Sequence, residues 1–300
     1  MVNLKNVLTR YWWVIVPLLF IPACWALFVP GFYGASDDIH IAWLYELHKT
    51  ILMGKFPPRF VADLSFGFGY PLFNFVFPLP FYIAEVFHLL GLSLVDSIKA
   101  LFFISIPISF LFMYLLLRQF ASKALSLSGA ILYVYTPYRA VDLYVRGAIG
   151  EIVSFIFLPL IILSIIKITT EKNLRWVGIG ALAIASLLLS HNITAYMFLP
   201  AVLLFLLLQF FFNSNKKAFA AKSILMICMG FLISIYFWLP AVVEARFMRY
   251  DTVFNFVDHF PFLRQLITPY WGYGASVPGP GDGMSFFLGI VNILVAFFGF

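Results

Sequence analysis

Residues 76–94, Val76-Phe77-Pro78-Leu79-Pro80-Phe81-Tyr82-Ile83-Ala84-Glu85-Val86-Phe87-His88-Leu89-Leu90-Gly91-Leu92-Ser93-Leu94, decide the fold of this chain, because every later segment changes sides of a membrane according to whether they cross it. Pro78 and Pro80 interrupt the start and leave about 15 uninterrupted apolar residues, roughly 22 Å of helix against a hydrocarbon core near 30 Å. Glu85 and His88 fall three apart, on one helical face. The stretch is expected to lie in the membrane interface rather than to span it.

Around it the chain is 63% hydrophobic and 11% charged. Soluble domains carry about 25% charged residues, so this is an integral membrane protein. Apolar runs at 11–30, 97–117, 122–138, 150–166, 176–190, 194–212, 219–241 and 285–300 are continuous rather than alternating, which speaks for helices and against a barrel. The expected fold is all-α, a polytopic helical bundle of about 8 transmembrane helices. It forms one transmembrane domain over 1–300, with juxtamembrane helices in an outer loop over 31–96 and a second long outer loop over 242–284, expected as a mobile flap or a short ordered excursion over the site. The run at 285–300 ends on the last residue, so the sequence is expected to be the front of a longer protein. The first run resembles a signal peptide but continues past Cys24 to Pro30, and is read as a retained helix. Cys24 and Cys228 both sit in apolar runs and read as small core residues, not a disulfide.

Charge bias sets the orientation. With 76–94 outside and the N-terminus cytoplasmic, the inner loops hold Lys5 and Arg10; Arg118 and Lys123; Lys167, Lys172 and Arg175; and Lys216, Lys217 and Lys222, beside one acid, Glu171. The other acids and all five histidines then fall outside. The formal charge of +6 is accounted for by topology and does not indicate nucleic acid. The expected location is the cell (plasma) membrane, with the active face outside.

The first polar interruption, Gly31 to Phe75, carries Ser36-Asp37-Asp38-Ile39-His40. Adjacent carboxylates beside a membrane are costly unless they are used. Asp37 and Asp38 are expected to open a helix running to Met53, with Ser36 or Asp37 as N-cap. Asp38, Ala42 and Glu46 share one stripe of that helix, and Ile39, Trp43, Leu47 and Ile51 another. This predicts a helix lying on the membrane, apolar side down, that aims Asp38 and Glu46 together above the bundle. Arg139 and Arg146 bracket the outer loop Pro137–Glu151, against the charge bias, and so need partners. Asp142 or Glu151 would serve, as would a phosphate, which guanidinium meets with paired donors. Gly147 and Gly150 permit close approach of backbone N–H groups at the start of the next helix. His191, in Ser190-His191-Asn192, is either a cap at a helix C-terminus or a member of the same site. Asn192-Ile193-Thr194 matches a glycosylation sequon but falls in a tight interhelical turn. Arg246 and Arg249, and less directly Arg264, could line the site as well. No metal-ligand spacing stands out; Asp37-Asp38 with a distant histidine could hold a divalent cation, and adjacent carboxylates are a weak signal of one. The aromatics from Phe66 to Phe81 either stack on sugar or face lipid and core.

Gly69-Tyr70-Pro71-Leu72-Phe73-Asn74-Phe75-Val76-Phe77-Pro78-Leu79-Pro80-Phe81-Tyr82, Arg146-Gly147-Ala148-Ile149-Gly150-Glu151 and Ser190-His191-Asn192, set behind paired acids in a juxtamembrane helix, resemble the GT-C class of polytopic glycosyltransferases. More closely, they resemble a bacterial and archaeal group of membrane proteins labelled 6-pyruvoyl-tetrahydropterin synthase-related, a label for which these residues give no basis. The resemblance implies an inverting glycosyltransferase that moves a sugar from a polyprenyl-phosphate-linked donor to a glycan, lipid or protein acceptor at the outer membrane face. It maps the catalytic acid onto Asp37 or Asp38. On that reading Asp38, with Asp37 as rival, is the general base. Arg146 and Arg139, with His191, steady the donor phosphate on physical grounds, and Glu46, Glu151, Asn192 and Arg246 support the site. The partners are the lipid-linked donor, the acceptor and membrane lipid. The alternatives are a transporter or flippase of a lipid-linked glycan, and a non-catalytic glycolipid-binding relative. Charges gathered at one face rather than at mid-helix favour interfacial chemistry.

Overall fold

In lipid, every backbone N–H and C=O must find its partner within the segment, and the apolar runs accordingly fold as helices. The computed structural model describes residues 18–171, 173–249, 260–279 and 281–298. In chain order the helices are α1 Ile21–Cys24, α2 His40–Leu52, α3 Leu72–Phe75, α4 Leu79–Leu89, α5 Leu94–Leu117, α6 Lys123–Val134, α7 Pro137–Val141, α8 Ile149–Thr170, α9 Arg175–Ser190, α10 Asn192–Phe212, α11 Lys216–Ile233, α12 Ile235–Glu244, α13 Leu263–Ile267 and α14 Ile290–Phe298. No strand occurs among the described residues, only a single antiparallel bridge between Val61 and Tyr70. The protein is an all-α integral membrane protein.

Among the described residues three helices, α5, α8 and α10, are long and apolar enough to cross a membrane. The α11–α12 pair, bent by 71°, makes a fourth if read as one broken span. α6 and α9 are apolar but only 12 and 16 residues long. The expected run at 122–138 stops at Val134 because Pro137 opens a new helix, and the run at 219–241 breaks at Ser234. Of the expected first span, residues to 17 lie outside the described part, as do Lys5 and Arg10, and so does Lys172 of the inner loops. The described remainder is α1 and a 3-10 turn, Trp25–Phe28. α4 has 11 residues, about 16 Å, too short to cross the hydrocarbon core.

α8 is the axis of the bundle. Its first half, Ile149 to Ile156, joins the core built with α2, α4, α5 and α6, and its second half, from Leu160, joins the core built with α9, α10 and α11. α5 packs along one side of α8 and α9 along the other, with α11 behind α9. Pro159 in α8 and Pro240 in α12 each remove the N–H that would pair the carbonyl four residues earlier. Side chains take over both carbonyls: Tyr133 O–H donates to Phe155 O at 2.7 Å, and Arg59 Nη2 donates to Tyr236 O at 2.8 Å. In the second long loop Gly274 N–H donates to Gly283 O at 2.9 Å, and Asp282 accepts from Val277 N–H and from Gln265.

α2 departs from expectation at its start and in its facing. It begins at His40 after a turn, and its N-cap Ile39 offers no side-chain bond, so neither Ser36 nor Asp37 caps it. The buried face carries His40, Leu44, Glu46, Leu47 and Thr50, while Ile39 is 48% exposed. The anticipated stripe pairing Asp38 with Glu46 above the membrane does not form, because Glu46 turns inward with Leu47 and Asp38 is exposed. α4 closes on α2 through His48, whose Nδ1 lies 2.7 Å from Glu85 Oε1.

Candidate active site

The loop before α2 is fixed by backbone, not by side-chain caps. Ser36 N–H donates to Val145 O at 3.0 Å and Asp37 N–H donates to Arg146 O at 2.8 Å, while Tyr33 O–H donates to Leu143 O at 2.7 Å. The segment that receives them, Asp142–Arg146, is a π-helical turn ended by Gly147 in the left-handed region, φ 69°. Such turns cluster at functional sites. A side chain at Gly147 would be strained at that φ, and its Cβ would meet Ala35 at 3.0 Å. Gly150 is tighter still: a Cβ there would lie 2.5 Å from the Phe77 ring and 2.6 Å from Ser190 O. These two glycines bring the start of α8, the end of α9 and the Phe77 segment together.

Arg146 is the hub. Its Nη1 lies 2.8 Å from Asp142 Oδ1, 2.7 Å from Glu151 Oε1 and 3.1 Å from Tyr138 Oη, and Tyr138 O–H donates in turn to Glu151 Oε2. Burial opposes the Arg146 charge, but Asp142, Glu151 and Tyr138 outweigh it and hold its pKa above the ordinary value. Asp142 is fully buried, and burial together with Glu151 pushes its carboxyl well above the usual range, against Arg146 and Arg139. Its Oδ2 has no hydrogen-bond partner. Asp37 accepts from Ser36 Oγ at 3.2 Å. Burial raises its pKa, with Arg146 and the Ser36 hydroxyl working the other way. Three-quarters of a turn beyond, His40 is buried, and burial followed by the charges of His191 and Arg146 depresses its pKa to about 4.

His191 is the C-cap residue of α9, its N–H donating to Leu187 O at 3.0 Å, and its side chain caps the N-terminus of α10. Thr194 N–H donates to its Nδ1 at 3.2 Å and Thr194 Oγ1 lies 2.7 Å away. An accepting Nδ1 puts the ring proton on Nε2, and burial, followed by the opposed effects of Glu151 and Arg146, keeps the imidazole pKa low. The Phe77 ring meets His191 edge-on at 5.0 Å.

Asp37, Arg146, Glu151 and His191 line one cavity of about 230 Å3 together with Ile39, His40, Trp43, Val76 and Phe77. Its lining is therefore part charged and part aromatic. A second cavity, about 250 Å3 and almost wholly apolar, opens between α8, α9, α10 and α11 and reaches Asn192, the neighbour of His191. Among the described residues no group of three or more His, Cys, Asp or Glu side chains is arranged to hold a metal ion.

Of the residues singled out in the sequence, Asp37, Arg146, Glu151 and His191 come together in the lining of the polar cavity and Asn192 lines the apolar one. Asp38 is exposed and Glu46 is buried in α2, and neither lines the polar cavity. Arg139 faces elsewhere: it is buried over the rings of Phe155 (4.8 Å) and Tyr133 (5.1 Å), and donates to Ser109 Oγ at 2.9 Å. Arg246 is exposed beside Phe247, away from the cavity wall. Tyr138, His40 and Trp43 belong to the site and were not singled out for it, whereas Asp142 was named as a partner for the arginines and pairs with Arg146. The i, i+4 spacing of Asp142 and Arg146 was a usable signal for the first of the ion pairs.

The family model for 6-pyruvoyl-tetrahydropterin synthase related domains, described as membrane protein, matches residues 73–277. That segment carries Tyr138, Asp142, Arg146, Glu151 and His191, and Asp37 precedes it. An uncharacterized protein of Lactococcus lactis subsp. cremoris (strain MG1363) is 25% identical over 226 residues, which make up 73% of this chain and 36% of that protein. The chain thus matches about a third of that relative's length. No solved structure matches it.

Proposed function

This chain belongs to the family of membrane proteins described as 6-pyruvoyl-tetrahydropterin synthase related, and from that premise and the make-up of the polar cavity we propose that it is a membrane glycosyltransferase of the GT-C type. The donor is a sugar linked to polyprenyl phosphate, and the site works at the outer membrane face. The observation that carries the reading is the meeting of a carboxylate and a guanidinium, Asp37 and Arg146, on the wall of one cavity that ends at His191, with an apolar cavity lined from the next residue, Asn192.

Asp37 takes the role of base in place of Asp38, since it alone of the pair reaches the cavity. A raised carboxyl pKa makes a stronger base at neutral pH. An acceptor hydroxyl attacks the anomeric carbon as its proton passes to the Asp37 carboxylate; the new C–O bond forms as the bond to the lipid phosphate breaks. Arg146 and the His191 Nε2–H stabilise the charge that develops on the departing phosphate. Glu151, Asp142 and Tyr138 hold the guanidinium in place for that task. The hydrocarbon tail of the donor lies in the apolar cavity.

The transporter reading draws less support. Among the described residues, the charged side chains of the long helices sit near their ends, as Asp96 and Lys99 in α5, Glu151 and Lys167 in α8, and Lys216, Lys217 and Lys222 in α11. Transport sites place such groups near the midplane.

The test is transfer of radiolabelled sugar from polyprenyl-phosphate donors by membranes that hold the full-length protein. Asp37→Asn should lower transfer by about 10²–10⁴-fold, while Asp38→Asn leaves it unchanged. Undiminished transfer by Asp37→Asn, or equal loss in Asp38→Asn, overturns the assignment.

A further inference from the structure

The hairpin between α2 and α3 has no part in the chemistry proposed above, and it is built in an unusual way. Val61 and Tyr70 pair through both backbone bonds, at 2.9 and 2.8 Å, and the turn they enclose closes on itself through Gly69 N–H to Leu64 O and Phe68 N–H to Ser65 O. At the tip, Ser65 (φ 56°) and Phe66 (φ 59°) both hold the left-handed conformation, followed by Gly67 at 84°. Two consecutive residues other than glycine in that region are strained. The outcome is that Phe66 is 102% exposed and Phe68 87% exposed. No Asp, Glu, Lys or Arg occurs from Leu64 to Ala84.

The hairpin is also held against a membrane-level element. Arg59, at its base, donates to Tyr236 O of α12, and Asn74, just after it, accepts from Arg59 Nη1 at 3.3 Å and donates to Glu244 Oε2 at 2.6 Å. α12 is the bent continuation of the apolar helix α11, and it exposes Val242 and Val243. The exposed phenylalanines thus sit on a hairpin tied to an apolar helix that itself exposes large aliphatic side chains.

We propose that the Leu64–Gly69 turn is a lipid-inserting wedge, whose Phe66 and Phe68 rings enter the headgroup–acyl boundary of the membrane in which the bundle sits. The occupant of this surface is the bilayer itself. Phe68 N–H and Gly69 N–H are satisfied inside the turn, and at the headgroup boundary, unlike the hydrocarbon core, water remains to meet its other N–H groups. The proposal is independent of what reaction the cavity carries out.

The experiment uses the full chain with Cys228, its exposed cysteine, replaced by serine. It is reconstituted in bilayers of phosphatidylethanolamine and phosphatidylglycerol. Nitroxide labels at Phe66→Cys and, separately, Phe68→Cys are compared with an aqueous reference at Ser214→Cys in the loop between α10 and α11. Collision with oxygen should exceed collision with a water-soluble nickel chelate several-fold at both hairpin positions, corresponding to a depth of about 5–10 Å, and the ratio should reverse at the reference. Nickel access equal to that at Ser214→Cys puts the turn in water and overturns the proposal. Labels shielded from both reagents mean that protein, from this chain or another, covers the turn, and overturn it equally.

Discussion

At the scale of single residues, His40 carries a liability that the cavity accepts. It is held neutral by burial and by the neighbouring charges, with a pKa near 4 against about 6.5 in an unfolded chain. A depressed folded-state pKa contributes stability that is present above the unfolded value and is lost as pH falls through the folded one. The window runs from about 6.5 down to about 4, and the contribution is about 3 kcal/mol. Thermal unfolding of the purified protein from pH 7 to pH 4.5 should therefore show a steeper fall in Tm for wild type than for His40→Gln; parallel curves would remove His40 from the acid response. This residue was hard to find in the sequence for the same reason that Asp37 and Asp38 were hard to separate. Both acids follow one serine, and what separates them is a backbone bond from Asp37 N–H to Arg146 O, a contact for which local sequence gives no cue. Arg146 and Glu151 were easier, since a cation on a face otherwise short of them draws acids to it.

At the scale of elements, proline and length identified α4 as a helix that does not span, and an 11-residue helix is what stands there. The facing of α2 was not readable. A period of 3.6 names a stripe but not its partner, and here the stripe with Glu46 and Thr50 goes inward, where Thr50 Oγ1 donates to Glu46 O at 2.7 Å. The juncture of α8, α9 and the Phe77 segment depends on an unoccupied volume at Gly150. Gly150→Ala places a methyl against a ring and a backbone oxygen at once, and the oxygen belongs to a helix end and cannot swing aside. A loss of about 1–3 kcal/mol is expected, read as a lowered Tm in detergent. Gly178→Ala, where a Cβ meets nothing within 4 Å, should be neutral or slightly stabilising.

For the molecule as a whole, the helices sort their charges by end. Glu151 and His191 stand at the cavity ends of α8 and α9, while Lys167 and Arg175 occupy the opposite ends of those helices, and Lys123, Lys216 and Lys217 open α6 and α11. The function proposed above has the cavity outside, in keeping with the positive-inside rule. A membrane-impermeant maleimide applied to intact cells should label Asn192→Cys and spare Ser214→Cys; the reverse pattern would place the cavity in the cytoplasm. The charged lining is also assembled across a long stretch of chain, for Ser36 and Arg146 stand 110 residues apart. A ribosome adds roughly 5–20 residues per second, so the loop with Asp37 leaves it about 5–20 s before the turn that fastens it is made. During that interval its acids have no guanidinium, and His191 comes later still. The site is thus a late product of synthesis, and a pause between the codons for Asp38 and Arg146 would lengthen the exposure of an unpaired acidic loop to the insertion machinery and to proteases.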